Sequence, residues 1–172
     1  MLDASTIKTL LLELNDELGK HGEVGEVGLV GGAVMCLVYN ARAATRDVDA
    51  VFKPTAVIRK LARALASKHD LPDDWLNDAA KAYVQGEFKQ ESVLSLAHLR
   101  VWAPEPRYML AMKCLAARWD THDRSDVIFL IGKLGLTKAA EVFSIIEAYY
   151  PKRRILPKTQ FLVEELFEAP EA

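Results

Sequence analysis

The chain has 172 residues, of which 51% are hydrophobic and 27% are charged. This length and composition predict one compact globular domain with room for a helical appendage, and they exclude two full-sized domains. The formal net charge of -2 provides no overall attraction for nucleic acid, so a nucleic-acid partner must be argued from a local site.

Cysteine content and hydropathy narrow the class further. Cys36 and Cys114 each lie in an apolar helical pattern, which excludes a disulfide framework and predicts two small core residues. The N-terminal sequence carries acids within its apolar pattern and lacks the basic start of a signal peptide. No segment approaches the roughly 20 consecutive apolar residues of a membrane span. The sequence therefore predicts a soluble, cytoplasmic protein with no membrane partner.

Helices and short strands alternate through the first part of the chain. The predicted elements are helix 5–18, strand 27–30, helix 33–40, strand 47–52 and helix 55–68. The first strand breaks at Gly31 and Gly32, and a buried helix leaves directly from that turn. Ser5 or Thr6 is the expected N-cap of the first helix, and Thr55 that of the third.

The remainder of the chain is predicted to contain a weak strand at 82–84, a long strand at 92–102 and then helices only. These helices cover 107–119, 124–134, 137–149 and 158–168. The fold class is therefore α+β, with a small mixed sheet. An α/β core over 1–106 is expected to carry a helical part over 107–172 packed on it as one compact unit.

Asp47 and Asp49 are the first candidates for chemistry. Side chains on a strand repeat every two residues, so both carboxylates point to the same face. Two like charges on one face repel each other, and Mg²⁺ is the hard cation that such a pair of carboxylates suits. A solvated edge strand is the alternative interpretation of the pair.

The glycine turn adds a second half to this candidate site. A strand that ends in Gly31-Gly32 and leads into a helix places backbone amides and the positive end of a helix dipole at one point, which suits a phosphate. Adjacent glycines also serve simply to permit a tight turn. Together, the turn and the aspartates supply what a nucleoside triphosphate requires, a phosphate cradle and a metal platform.

These motifs resemble those of a known superfamily. The order Gly31-Gly32, Ala44-Thr45-Arg46, Asp47-Val48-Asp49 is similar to the polymerase-β-like nucleotidyltransferase signature, a GG or GS turn followed by DxD. The form LVGGAV with TRDVDAVF resembles the branch that contains AbiEii-type toxins of toxin-antitoxin systems and uncharacterised bacterial relatives. Residues 104–126 are similar to the helix of that branch that bears a lysine, an arginine and a downstream aspartate pair.

The resemblance implies a function and a set of residues. Nucleotide and metal contacts would come from Gly31, Gly32, Thr45, Arg46, Asp47 and Asp49. The two aspartates would bind Mg²⁺ or Mn²⁺ and be catalytic, while the glycines would hold the triphosphate. The implied activity is nucleotide transfer from an NTP to RNA, such as tRNA, or to a protein hydroxyl. A toxin-antitoxin role would add an antitoxin partner.

A second cluster lies in the predicted helix 107–119 and just after it. Lys113, in a very apolar stretch, either reaches the surface or meets an anion, and the resemblance implies that it contacts the triphosphate together with Arg118. Asp123 is equally suited to cap the following helix, and Asp126 to occupy its first turn. By the resemblance both aspartates are second-tier site residues that hold the lysine or arginine in place.

The pattern departs from the superfamily at one point. Active members usually carry a third carboxylate on a neighbouring strand, and the best equivalent here, 92–102, has none. Arg100 on that strand is instead expected beside the two aspartates, where a salt bridge would suit an inactive relative. The alternative function is therefore a catalytically degenerate module that binds a nucleotide or a partner.

Overall fold

The computed structural model describes residues 1–116 and 122–168. They form an α+β protein with a five-stranded mixed sheet and a separate two-stranded sheet, which confirms the predicted fold class. The chain divides into two compact units. The first contains Met1–Ala82 and Gln90–Pro104, and the second contains Tyr83–Lys89 and the chain from Glu105 onward.

The first unit contains every strand of the two sheets. The strands are β1 Leu2–Asp3, β2 Gly25–Leu29, β3 Ala44–Thr45, β4 Val48–Lys53, β5 Leu76–Asn77, β6 Gln90–Ser95 and β7 Leu99–Pro104. The helices are α1 Ala4–Lys20, α2, which is α-helical over Gly31–Ala33 and π-helical over Val34–Val38, and α3 Thr55–His69. A 3₁₀ turn follows at Ala79–Ala82. The five-stranded sheet has the order β5-β4-β2-β7-β6, and β1 pairs with β3.

Helices α1 and α3 cover one face of the five-stranded sheet. Their apolar stripes are fully or nearly fully buried, as the three- and four-residue spacing predicts. A methyl group at Gly25 of β2 would contact Leu18 of α1 and Ile58 of α3, which identifies this face of the sheet. Because strand side chains alternate, Asp49, Val51 and Lys53 of β4 belong to the opposite face.

The prediction of one long strand over 92–102 was wrong. The segment is an antiparallel hairpin of β6 and β7, in which the Leu96 amide donates to the Leu99 carbonyl at 2.9 Å. Its turn contains no glycine, proline or asparagine, the residues from which a turn is usually predicted. The turn is held instead from outside, because Asn15 of α1 accepts a hydrogen bond from the His98 amide at 2.9 Å. A tertiary contact therefore decided where the strand broke.

Three further local predictions were wrong. No strand covers 82–84, and the short strand of this region is β5. Asp3 caps α1 by accepting from the Thr6 amide at 2.7 Å. Pro54 occupies the cap position of α3, while the Thr55 hydroxyl donates to the Phe52 carbonyl at 3.1 Å. The observed cap lies two residues before Ser5 in α1 and one residue before Thr55 in α3, within the usual uncertainty of helix ends.

The second unit consists of helices and one extended segment. The helices are α4 Pro106–Ala116, α5 Asp123–Leu134, α6 Ala139–Tyr149 and α7 Pro157–Glu165, close to the predicted ranges. The segment 83–89 is held by Tyr108 of α4, whose hydroxyl accepts from the Gln85 amide at 2.8 Å and donates to the Gln85 carbonyl at 2.9 Å. Within residues 1–116 and 122–168, no helix combines the length and apolar character needed to cross a membrane.

Candidate nucleotide site

The Gly31-Gly32 turn joins β2 to α2 in the way that the sequence predicts. Val30 is extended, and its amide donates to the carbonyl of Asp49 at 2.9 Å, which ties the end of β2 to β4. Gly31 then adopts a left-handed backbone with φ of 61°, a conformation that a residue with a side chain takes only at a cost. The chain can therefore reverse into a buried helix within a single residue.

The same glycine lies against the carboxylate of Asp49. A methyl group placed on Gly31 would stand 3.0 Å from Oδ2 of Asp49, closer than an ordinary contact. Asp47 and Asp49 are partly exposed, whereas Val48 and Ala50 between and after them are buried. This alternation places both aspartates on the face opposite α1 and α3. The turn and the aspartate pair thus meet at the start of β4.

Gly32 is surrounded by a different pair of side chains. A methyl group there would lie 2.5 Å from Oγ1 of Thr45 and 3.1 Å from Nη1 of Arg42. Thr45 is buried on β3, so its hydroxyl faces the turn from the two-stranded sheet. Arg46 is exposed, while Arg42 is partly buried. Arg42 is therefore the arginine that reaches the turn, a residue that the sequence analysis did not select.

No motif distinguishes Arg42 from Arg46 in the sequence, because both lie in the connector that returns to β4. The distinction comes from the folded turn, where Arg42 is among the side chains nearest to Gly32. Helix α2 closes with a π-helical turn, in which the Tyr39 amide donates to the Val34 carbonyl at 3.1 Å. π-Helical turns are frequent at functional sites.

The neighbours of β4 are β2 and β5, which corrects the expected position of Arg100. Strand β7 lies beyond β2, and the Arg100 guanidinium is 3.4 Å from the carboxylate of Glu26 on β2. Glu26 is four residues from the position opposite Asp49, about 13 Å along the strand. Arg100 therefore does not lie beside the two aspartates.

On the side of β4 away from β2, Asn77 of β5 lies directly beside Asp49. The two are register partners in the parallel pair of β4 and β5, where strands run about 4.8 Å apart. Its amide oxygen accepts a hydrogen bond from the Ala79 amide at 3.0 Å. The position next to the DxD strand that would suit a third carboxylate therefore carries a neutral amide.

The site suits Mg²⁺ or Mn²⁺ only with help from a ligand. In residues 1–116 and 122–168, no group of three or more histidine, cysteine, aspartate or glutamate side chains is placed to hold a metal ion. Mg²⁺ commonly uses one or two carboxylates and completes its shell with water and substrate phosphates. Asp47 and Asp49 are enough for that arrangement, which makes a metal site dependent on a phosphate ligand.

Lys113 and its partners belong to the second unit. The Lys113 ammonium is 2.9 Å from Asp123 and 2.8 Å from Asp126, and the Asp126 side chain is only 2% exposed. Of the two alternatives for Lys113, the structure shows a buried lysine that meets anions, and these anions are carboxylates of the same chain. Asp123 begins α5 and His122 occupies its cap position. Arg118 lies outside the described residues.

Neither cysteine provides a nucleophile. Both thiols are buried, as their apolar surroundings in the sequence predict. Burial raises the pKa of Cys36, next to the turn in α2, and raises that of Cys114 to about 12. The thiolate form is therefore suppressed at neutral pH.

No protein-family model, curated protein or solved structure matches this chain.

Proposed function

We propose that the protein is a nucleotidyltransferase-like protein that binds a nucleoside triphosphate with Mg²⁺ at the turn and the aspartate pair. The observation that carries the proposal is the closeness of the Asp49 carboxylate to Gly31, where an added methyl group would lie 3.0 Å from Oδ2. A phosphate cradle and a metal platform are of use to an NTP only if they lie side by side. The proposal extends to transfer of a nucleotide to RNA, such as tRNA, or to a protein hydroxyl.

The closeness of the carboxylate to the turn favours a metal-bound phosphate over a bare one. Two unit charges 4 Å apart interact by about 4 kcal/mol at an effective dielectric constant of 20. A phosphate at the Gly31 amide would bring its charge close to that of Asp49, which already has a polar partner in the chain, so part of this repulsion remains. Mg²⁺ or Mn²⁺, when bound, supplies the positive charge that removes it and stabilises the charge that develops in transfer. The NTP and the metal should therefore bind together.

Each residue at the turn has a defined part in this proposal. The backbone amides at the start of α2 would donate to the phosphates. Gly32, which has no side chain, allows Thr45 and Arg42 to pack closely against the turn. Arg42 adds a guanidinium, the side chain best suited to phosphate oxygens. Thr45 holds the turn in place from β3. Asp47 and Asp49 orient the metal-bound phosphates.

Asn77 favours the alternative that the protein binds a nucleotide or a partner without transferring anything. In three-carboxylate relatives the third acid helps to remove the proton of the acceptor hydroxyl. A neutral amide can accept a hydrogen bond but cannot take that proton. Transfer would then depend on Asp47 or Asp49 for the proton, whereas binding of NTP with metal would not be affected.

Binding is tested by thermal unfolding with each of the four NTPs at millimolar concentration, with and without Mg²⁺. Ligand at about 100 times its Kd stabilises by about 2.7 kcal/mol, which corresponds to a rise in Tm of roughly 5–10 °C for a chain of this size. The rise should require Mg²⁺ and should be lost in Asp49→Asn. Asp73→Asn, which removes an exposed loop carboxylate, is the matched control. No shift in the wild type with any NTP would refute the proposal.

Transfer is tested separately with α-³²P-labelled NTPs, Mg²⁺ and either total RNA or cell extract. Label should appear in RNA or protein with the wild type and not with Asp47→Ala combined with Asp49→Ala. Metal-dependent binding without labelling of either acceptor would support the binding module instead.

The toxin-antitoxin role belongs to the same proposal, as does a cytoplasmic location, where NTPs and tRNA are available. Induced expression should then arrest growth, and the Asp47→Ala, Asp49→Ala protein should not. Coexpression of the neighbouring gene should restore growth if that gene encodes an antitoxin. Equal growth with both proteins would remove the toxin role without affecting the proposed NTP site.

A further inference from the structure

A cavity lies on the same face of the sheet as Asp49, further along β4. It has a volume of about 320 Å³ and is lined in part by Val51 and Lys53. These residues follow Asp49 on the same side of the strand, at about 7 Å and 13 Å. The cavity is therefore separated from the candidate nucleotide site by one or two strand positions.

The acidic side chains of this cavity are already paired with arginines that do not line it. Asp78 receives two hydrogen bonds from Nη2 of Arg59, at 3.0 and 3.1 Å. Glu26 lies 3.4 Å from Nη1 of Arg100 and also accepts a hydrogen bond from the Trp102 indole at 3.0 Å. Both carboxylates therefore already have a cationic partner that is not part of the cavity lining.

The two lysines of the cavity are not compensated in this way. Lys53 and Lys81 are exposed, and neither has a hydrogen bond or an ion pair within the described parts of the chain. Because the carboxylates are paired, the remaining charge that faces a ligand is positive. A chain with a net charge of -2 thus carries a local site that favours an anion.

The inner wall of the cavity is apolar. Val51 lies beside Gly28 of β2, and Trp102 lies on the far side of Gly28 on β7. The indole covers Gly28 so closely that a methyl group there would stand 2.1 Å from the ring. The missing side chain allows the ring to lie across the sheet toward Val51. An apolar wall below two lysines suits a ligand that has both a planar ring and a phosphate.

We propose that this cavity binds a phosphate-bearing nucleotide unit of a single-stranded nucleic acid, the acceptor strand of the reaction. The inference rests on the proposed function, which places the reacting phosphates at Asp49. A strand that ends there and continues along β4 reaches Lys53 within about 13 Å, a distance that a few nucleotides span. Its phosphates meet Lys53 and Lys81, and a base packs on Val51 and the small part of the Trp102 ring that lines the cavity.

The test measures RNA binding without any NTP, so that it is independent of the nucleotide site. The probe is a 5′-fluorescein-labelled, mixed-sequence single-stranded RNA of ten nucleotides, and the readout is fluorescence anisotropy. Loss of two phosphate contacts lowers the salt slope, d log K/d log[salt], by about 1.4 in magnitude. Lys53→Gln combined with Lys81→Gln should therefore bind about 25-fold more weakly at 0.1 M salt, with the difference vanishing near 1 M.

Lys8→Gln combined with Lys60→Gln is the matched control. It removes the same charge from exposed helical positions of the first unit, away from the cavity. Its RNA affinity should remain within about threefold of wild type, and thermal unfolding of both variants verifies that they are folded. Equal losses in the two double variants would overturn the proposal, because the effect would then be one of overall charge.

Two other outcomes would also overturn it. The first is that the wild type does not bind RNA, as expected if the acceptor is a protein. The second is that free uridine monophosphate displaces the labelled RNA as well as unlabelled RNA does at the same nucleotide concentration. The Mg²⁺-dependent rise in Tm with NTP should be unchanged in Lys53→Gln, Lys81→Gln. If the lysine double variant loses RNA binding but keeps its rise in Tm with NTP, the loss comes from the cavity and not from the nucleotide site. If the wild type shows no rise in Tm with NTP, the proposed function is refuted.

Discussion

Replacement of Gly32 by alanine tests how tightly the turn is packed. The added methyl group would lie 2.5 Å from Oγ1 of Thr45, about 1 Å inside an ordinary contact of 3.4 Å. Thr45 is 5% exposed and lies in a β-pair, so it cannot rotate into solvent. Overpacking of this kind costs about 1–3 kcal/mol, and we expect Gly32→Ala to lower the free energy of unfolding by about 2 kcal/mol.

Thr45→Ala identifies the source of that loss. Removal of Oγ1 leaves Arg42 as the nearest side chain at 3.1 Å, and a guanidinium at the end of a long side chain can move by the few tenths of an ångström required. The double variant should therefore be more stable than the sum of the two single variants allows, by about 1–2 kcal/mol. Urea unfolding followed by tryptophan fluorescence gives the three free energies.

The result that would refute this reasoning is additivity. If Gly32→Ala lowered the free energy of unfolding by the same amount in the wild type and in Thr45→Ala, the turn would not be packed against the Thr45 hydroxyl. Gly132→Ala is the control, because a methyl group at this exposed helical glycine meets nothing within 4 Å. It should raise stability by about 0.5–1 kcal/mol, since alanine favours a helix over glycine.

Three further predictions concern the rest of the molecule. Gly28→Ala should lower the free energy of unfolding by about 3 kcal/mol in urea unfolding, because the new methyl group would overlap a buried indole. Lys113→Met should cost about 3 kcal/mol in the same assay, since it removes the ammonium from the buried Asp126 carboxylate. A hydrogen bond from His69, with a second from the neighbouring lysine, holds the pKa of Glu13 below its usual 4.5. The carboxylate therefore stabilises the fold above that pH and loses this contribution as pH falls through the lowered pKa, so acid unfolding of Glu13→Gln should show a shallower stability loss than that of the wild type.

Much of the secondary structure could be predicted because it depends on local pattern. The stripe of α1 is visible in three- and four-residue spacing, and the helix after Gly32 in a run that is apolar almost all round. The alternation of β4 similarly revealed that Asp47 and Asp49 share a face. The hairpin of β6 and β7 could not be found in this way, since its turn is held by a hydrogen bond that the His98 amide donates to Asn15 of α1.

The candidate site was only partly predictable for the same reason. Adjacent motifs indicated the glycines and the aspartates, which lie within 20 residues of each other. The sequence could not rank Arg42 above Arg46, because only the folded turn brings the Arg42 guanidinium next to Gly32. Nor could it identify Asn77, which enters the site only through the pairing of β5 with β4.

The sequence by itself determined the α+β class, the helices and the pairing of a glycine turn with a DxD strand, since each depends on the period and spacing of neighbouring residues. The tertiary structure alone decided that the Asp49 carboxylate lies next to Gly31 and that the Asn77 amide lies beside Asp49. It also decided that Glu26 and Asp78 are paired with arginines, so that the two lysines of the cavity remain uncompensated. These facts depend on strand order and on contacts between residues far apart in the chain, which no local pattern encodes.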